Sequence, residues 1–467
     1  MVMSKDSVSK GTVLFVAMVG SFVTPFMGSS VNIALPAIQK ELAMDAVLLS
    51  WVQTAFLLAA AVFMVPVGRL SDIYGRKKTF LWGMVCFTAA TMVCGLCSSA
   101  AGLIAARVGQ GVGSAMIFAS GLAIITSVFP LGERGRAIGF TVAAVYVGLS
   151  LGPVLGGLLT QNWGWRSIFW VNVPLGLTTI FLVLWKLTGE WAEARGERFD
   201  LAGSLIYGFV LAAVMFGLSL LPDLKGLGLI ALGLAGLAVF IKWELATAAP
   251  VFQIELFRTN VTFAFSNLAA LIHYSATFGL IFLMSLFLQY IKGLPPQKAG
   301  FILVTQPLVM AVFSPLAGRL SDRIEPRLVA STGMALTGLG LLFFTFLDPA
   351  SALGLIIGNL ALIGLGFALF SSPNTNAIMS SVSRKFLGQA SGAVSTMRLI
   401  GQMVSMGLAA LVFALVIGRV RITPEYYPAF LRSIRIAFMI FTGLCVLGVI
   451  ASLQRGRVLT GPDRSGG

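Results

Sequence analysis

Runs of about 20 apolar residues, each long enough to cross a hydrocarbon core of roughly 30 Å, follow one another along nearly the whole chain. Some fourteen are predicted, opening with Gly11–Leu35 and Leu48–Gly68 and closing with Gly388–Ile417 and Ile434–Leu453. The first outruns a signal-peptide core and has no small-residue cleavage site before the next run, so it is read as a retained helix. Such a pattern fits an all-α integral membrane protein and leaves no stretch for a separate soluble domain.

Composition excludes the alternatives. Apolar residues make up 57% of the 467 and charged residues 10%, and mean hydropathy is +0.94; no water-compatible globule can be built from that. The formal charge of +15 would suit nucleic acid, but the basic residues sit in short loops between apolar runs rather than on one face, so no nucleic-acid partner is expected. With both termini cytoplasmic, roughly 21 of the 32 Lys and Arg fall on the inner side, as positive-inside sorting requires. The weak point is the outer loop with Arg419, Arg421 and Arg432. Cys94 and Cys97 form a C-x-x-C inside one run with no second pair or His beside it, so neither metal nor cofactor is expected.

The peptide Gly-Arg-Leu-Ser-Asp occurs at Gly68–Asp72 and again, 250 residues later, at Gly318–Asp322. Each copy closes an apolar run, which implies two related bundles. A six-helix bundle takes roughly 190–200 residues, so two further helices are placed between the halves, near Leu201–Leu221 and Gly226–Ala246. The division expected is residues 1–188 for the first bundle, 189–258 for the insert and 259–467 for the second bundle.

Gly68-Arg69-Leu70-Ser71-Asp72-Ile73-Tyr74-Gly75-Arg76-Lys77-Lys78 resembles the loop signature between the second and third helices of the major facilitator superfamily. Its second copy keeps Gly318, Arg319 and Asp322. In that family, such loops help hold the cytoplasmic side shut; Gly68 and Gly75 would allow the sharp reversal, and Asp72 would accept from a helix N-terminus or an Arg across the bundle interface. Arg107-Val108-Gly109-Gln110-Gly111-Val112-Gly113 is similar to the family's intramembrane arginine motif. Gly148-Leu149-Ser150-Leu151-Gly152-Pro153-Val154-Leu155-Gly156-Gly157 resembles the fifth-helix signature of its exporters and antiporters, where the glycine strip and Pro153 suit a hinge or a seal against leakage. The segment Trp163–Gly176 resembles the sixth-helix entrance of the fourteen-helix drug/proton antiporter branch. The resemblance covers essentially the whole chain.

That branch implies a secondary active transporter, not an enzyme: multidrug efflux of amphiphilic small molecules by alternating access, with protons as coupling ion, in a cell membrane and as a monomer surrounded by lipid. The chain departs from the pattern in one respect. Ahead of Asn32-Ile33-Ala34-Leu35-Pro36, the position usually acidic in the branch is Met27, and all 17 acidic residues lie in loops or near run ends. The polar groups left at depth are Arg107, Arg398 and the single histidine, His273. A pocket holding both arginines and no carboxylate would favour anionic cargo, so an exporter of an anionic metabolite, or a lipid flippase, is the alternative. His273 is the candidate proton carrier. Phe26, Gln53, Gln110, Asn374 and Gln402 are placed around the cavity from their depth, with Met27 in its apolar wall.

Overall fold

The computed structural model describes residues 9–247, 250–383 and 386–456; the side chain of Asp322 is outside that description. Among the described residues, fourteen helices are long and apolar enough to span a membrane. They are α1 (Lys10–Leu42), α2 (Ala46–Tyr74), α3 (Arg76–Leu96), α4 (Ala100–Val128), α5 (Arg136–Trp163), α6 (Arg166–Lys186), α7 (Leu201–Leu220), α8 (Leu224–Ala246), α9 (Val261–Ile291), α10 (Pro296–Ser321), α11 (Pro326–Phe344), α12 (Leu353–Ser380), α13 (Gly388–Val416) and α14 (Pro424–Gln454).

Local chemistry sets the ends of these helices. Ser9 caps α1 by accepting from Thr12 N, and the helix runs through Pro25 and Pro36 before Ala43 breaks it in a left-handed conformation. It therefore continues past the predicted Leu35. Asp45 then opens α2 by accepting from Leu48 N at 2.8 Å, which satisfies one of the amides a helix start leaves unpaired.

The helices form two six-helix bundles with α7 and α8 added. In the first bundle α1 packs on α5, α2 on α4, and α3 on α4 and α6. The second repeats that pairing: α9 packs on α13, α10 on α12, and α11 on α12 and α14. The bundles meet where α2 touches α13 and α5 touches α10. Exchanging the equivalent helices, α2 with α10 and α5 with α13, turns one contact into the other, as expected for related halves around a common axis. From the insert, α7 packs on both α2 and α13, and Tyr207 donates to the Ala61 carbonyl at 3.0 Å. The insert thus lies along one seam.

Bonds between the bundles are concentrated at the end away from the two Gly-Arg-Leu-Ser-Asp loops. There Ser285 donates to the Asn32 carbonyl at 2.7 Å, Gln289 to the Ile33 carbonyl at 3.0 Å, and Tyr290 to Gln39 Oε1. The Gln297 amide donates to Gln161 at 3.3 Å, and the Ala46 amide to the Val420 carbonyl at 3.0 Å. Among the described residues, no hydrogen bond or ion pair joins the bundles at the loop end.

Candidate functional site

Arg107 is fully buried in α4. Glycines bring the neighbouring helices close enough to meet it: a Cβ on Gly111 would sit 2.3 Å from the Phe56 carbonyl of α2, and one on Gly113 would sit 2.5 Å from the Phe87 amide of α3. The guanidinium donates to the Val52 carbonyl at 2.8 Å, to Gln110 Oε1 at 2.8 Å and to Gln53 Oε1 at 2.9 Å, and lies 4.5 Å from the Phe56 ring centroid. Gln53 passes its amide protons to Asn32 and the Gly28 carbonyl of α1, and Gln110 donates to Thr91 of α3. One charge thereby ties four helices together through neutral oxygens, which offsets the cost of placing it away from water. These bonds occupy Arg107, Gln53 and Gln110 with one another.

Arg398 on α13 is held differently. Its guanidinium lies 5.1 Å from the Tyr274 ring centroid, and its buried Nε has no hydrogen-bond partner. Tyr274 OH lies 3.5 Å from Ser371 Oγ, and Ser314 donates to Tyr146 OH at 3.4 Å. Tyr146 also lies within electrostatic range of Arg398 and Tyr274. Met310 and Phe367 complete the packing. Since Tyr146 belongs to α5 and the others to α9, α10, α12 and α13, this cluster sits on the seam between the bundles, midway along the helices. The single two-arginine pocket expected from the sequence is therefore not what forms: Arg107 is enclosed by the first bundle, whereas Arg398 faces the seam. Tyr146 was missed because its depth is legible from the sequence and its facing is not.

Other expected cavity residues serve packing. Phe26 and Met27 are buried in α1, with the Phe26 backbone against Gly148 and Gly152 of α5. His273 is fully buried; its ring stacks on Phe370 at 4.0 Å and meets the tilted Phe367 ring at 4.9 Å, and neither ring nitrogen has a hydrogen-bond partner. Asn374 accepts from Arg455 at 2.7 Å and donates to the Ser266 carbonyl at 3.0 Å. Arg455, just beyond α14, also bonds the Pro326 carbonyl at 2.7 Å; burial pulls its pKa down to about 10, which still leaves it charged at neutral pH. Asn374 therefore belongs to a lock near the loop end. Gln402 is partly buried on α13.

The fifth-helix glycines split between two partners. A Cβ on Gly148, Gly152 or Gly156 would collide with Phe22, Ser29 or Ser30 of α1, while one on Gly157 would lie 2.6 Å from the Pro296 carbonyl of α10. Gly300 reciprocates, its Cβ position lying 2.1 Å from the Pro153 carbonyl. Pro153 sits inside a continuous helix.

At the first loop, Gly75 adopts φ 122°, a conformation open to glycine. Asp72 does not reach across the bundles here; it accepts from Arg76 at 2.8 and 3.0 Å, and Arg76 also bonds Glu193 at 2.7 Å and Ser127 at 2.6 Å. Glu190 caps α3 by accepting from the Lys77 and Lys78 amides, favourable for an anion at a helix N-terminus. Glu197 pairs with Arg69 at 2.5 Å. The acidic segment after α6 thus straps this loop, and its charge complementarity to Arg69 and Arg76–Lys78 was the available sequence signal. In the second copy Gly318 lies under Ser372, Arg319 is exposed, and Glu325 pairs with Arg327 at 3.2 Å.

Comparison with known proteins agrees with this architecture. The family model for the Major Facilitator Superfamily matches residues 17–272 and 266–465. The chain is 34% identical to multidrug resistance protein Stp of Mycobacterium tuberculosis (strain CDC 1551 / Oshkosh), over 82% of this chain and 72% of that one. It is 28% identical to riboflavin transporter RibZ of Clostridioides difficile (strain 630), over 95% and 97%. Among solved structures, a bacterial homolog of the human lysosomal transporter Spinster, in an inward-facing and unoccupied conformation, shares the fold with TM-score 0.69 at 17% identity, covering 97% of each chain. This chain therefore belongs to the major facilitator superfamily and is a multi-pass membrane transporter of small molecules.

Proposed function

We propose that this transporter exports amphiphilic small molecules by alternating access, with protons as the coupling ion. The observation that carries the reading is the one-ended join between the bundles: bonds close the end away from the loops, and the Tyr146–Arg398 cluster lies at mid-depth on the seam below that closure. With both termini cytoplasmic, as the loop charges favour, the joined end is the outer one and the unjoined end faces the cytoplasm, the side from which an exporter loads. The units 1–188 and 259–467 would then rock about the seam, while 189–258 stays against α2 and α13. The multidrug-resistance name of Stp and that of the tetracenomycin C resistance and export protein of Streptomyces glaucescens, 31% identical over 86% of this chain, support export as the direction.

Among the described residues, the buried carboxylate is that of Glu244, near the end of α8 and facing Asp200. Among the described residues, no carboxylate joins either mid-depth arginine. A proton-coupled cycle would accordingly use groups other than an aspartate of the first helix.

The test is a proteoliposome assay that follows internal pH while amphiphilic dyes are added, with counterflow measured in parallel. Trans-stimulated exchange together with substrate-evoked proton movement is expected. Dye movement without exchange would sink alternating access, and exchange without proton movement would sink proton coupling.

A further inference from the structure

We propose that the seam cluster of Arg398, Tyr146, Tyr274, Ser314 and Ser371 is the cargo-binding site, and that it selects amphiphiles carrying an aromatic body and an anionic end group. The inference rests on the export reading and names the substrate class of that same transporter.

Three observations carry it. First, the charge of Arg398 is uncompensated. No described side chain forms an ion pair with it, its Nε is buried without a partner, and the guanidinium lies over the Tyr274 ring, 5.1 Å from its centroid. A guanidinium with an unused donor at the centre of a membrane protein lacks one thing, an acceptor, and a carboxylate, sulfonate or phosphate matches its planar fork. Arg107 shows the contrast, since every donor nitrogen there has a protein oxygen. It is also fully buried, so its remaining N–H groups are closed off from a ligand in this state.

Second, the hydroxyls converge on the same place from both bundles. Tyr146 comes from α5, whereas Tyr274, Ser314 and Ser371 come from α9, α10 and α12; their mutual contacts of 3.4 and 3.5 Å are long for O–H···O bonds. Such loosely paired hydroxyls can turn to donate to a bound anion. Third, the flank is apolar and aromatic: Met310 and Phe367 pack there, and the Phe367 ring lies edge-on to Tyr274 at 5.5 Å. That surface accepts a ring, and methionine adapts to different ones. A cationic amphiphile at the same place would meet Arg398 with no carboxylate to neutralise the repulsion.

The experiment compares two dyes on one ring scaffold, anionic 2′,7′-dichlorofluorescein and cationic rhodamine 123, by fluorescence anisotropy with the purified full chain in detergent. The wild type is expected to bind dichlorofluorescein at least tenfold more tightly. Arg398→Ala should weaken dichlorofluorescein at least tenfold, a change of the size a lost charge-assisted bond brings, and should leave rhodamine 123 no weaker, tightening it where relief of the repulsion is felt. Arg398→Lys, which keeps the charge and guards against a folding artefact, should recover part of the loss. Tyr146→Phe should weaken the anionic dye severalfold. Equal affinity for the two dyes, or dichlorofluorescein binding unchanged in Arg398→Ala, overturns the proposal. Because binding is read without a membrane, a failure of export in proteoliposomes would sink the transport direction while leaving this result to stand or fall alone.

Discussion

Arg107 donates to Gln53 across the α4–α2 interface at 2.9 Å, and Gln53 donates onward to Asn32 of α1 at 2.9 Å. The bond therefore joins three helices of the first bundle through one glutamine. Removing the arginine would leave Gln53 Oε1 without a donor and Gln110 Oε1 with only the weak thiol of Cys94 at 3.6 Å, at about 1–3 kcal/mol for a buried group left unpaired. Arg107→Ala is expected to lower the thermal midpoint of the purified protein markedly, and Arg107→Lys to recover little, since an ammonium cannot reproduce the three-way fork. A scan showing Arg107→Ala with wild-type stability but no cargo binding would move Arg107 from scaffold to binding site.

Gly75 and Glu190 meet at the strapped loop. A Cβ on Gly75 would lie 2.4 Å from the Glu190 carboxyl carbon, and φ 122° is strained for any residue with a side chain. Gly75→Ala should displace the Glu190 cap and free the segment between α6 and α7. The check is limited proteolysis: cleavage within residues 187–200 is expected to speed up severalfold in Gly75→Ala and in Glu193→Gln, which loses an acceptor for Arg76. Unchanged cleavage in both would mean that the segment is held by its backbone bonds, from the Arg76 amide to the Trp191 carbonyl and from the Ala194 amide to the Asp72 carbonyl.

Gly152 and Gly157 should behave differently despite belonging to one motif. Gly152 packs within its own bundle, against Ser29, whereas Gly157 packs on Pro296 of the other. Gly152→Val is expected to destabilise the protein as overpacking does, by about 1–3 kcal/mol or more. Gly157→Val should leave stability nearly intact while prying the bundles apart at the closed end. Spin labels on α5 and α10 near that end would report a longer distance in Gly157→Val; no change would show that the seam yields without opening.

The sequence carried the elements well and the facing poorly. Membrane spans are written in consecutive residues, so fourteen helices, the tandem loops and the extra pair were legible, and Pro36 misled only about where α1 stops. Facing is tertiary. Asn374 and Tyr146 are both polar residues within spans, yet Asn374 is committed to Arg455, which follows α14, and Tyr146 reaches the seam. The acidic strap escaped notice because Glu190, Glu193 and Glu197 find their partners more than a hundred residues earlier.

His273 gives the sharpest test of the coupling scheme. An imidazole that carries protons through a cycle needs water or a polar partner in at least one state, and here the ring is fully buried against Phe367 and Phe370 with both nitrogens unbonded. It behaves as an aromatic packing residue, so His273→Phe should preserve transport and its dependence on pH to within about twofold, with Phe filling the stack. His273→Ala should lose stability through the cavity it leaves, by about 3–5 kcal/mol if it follows other buried aromatics. Measuring dye efflux across a pH series in the Phe variant decides the matter: a profile that flattens, with folding intact, would make His273 the proton carrier and require the second bundle to open around it during the cycle.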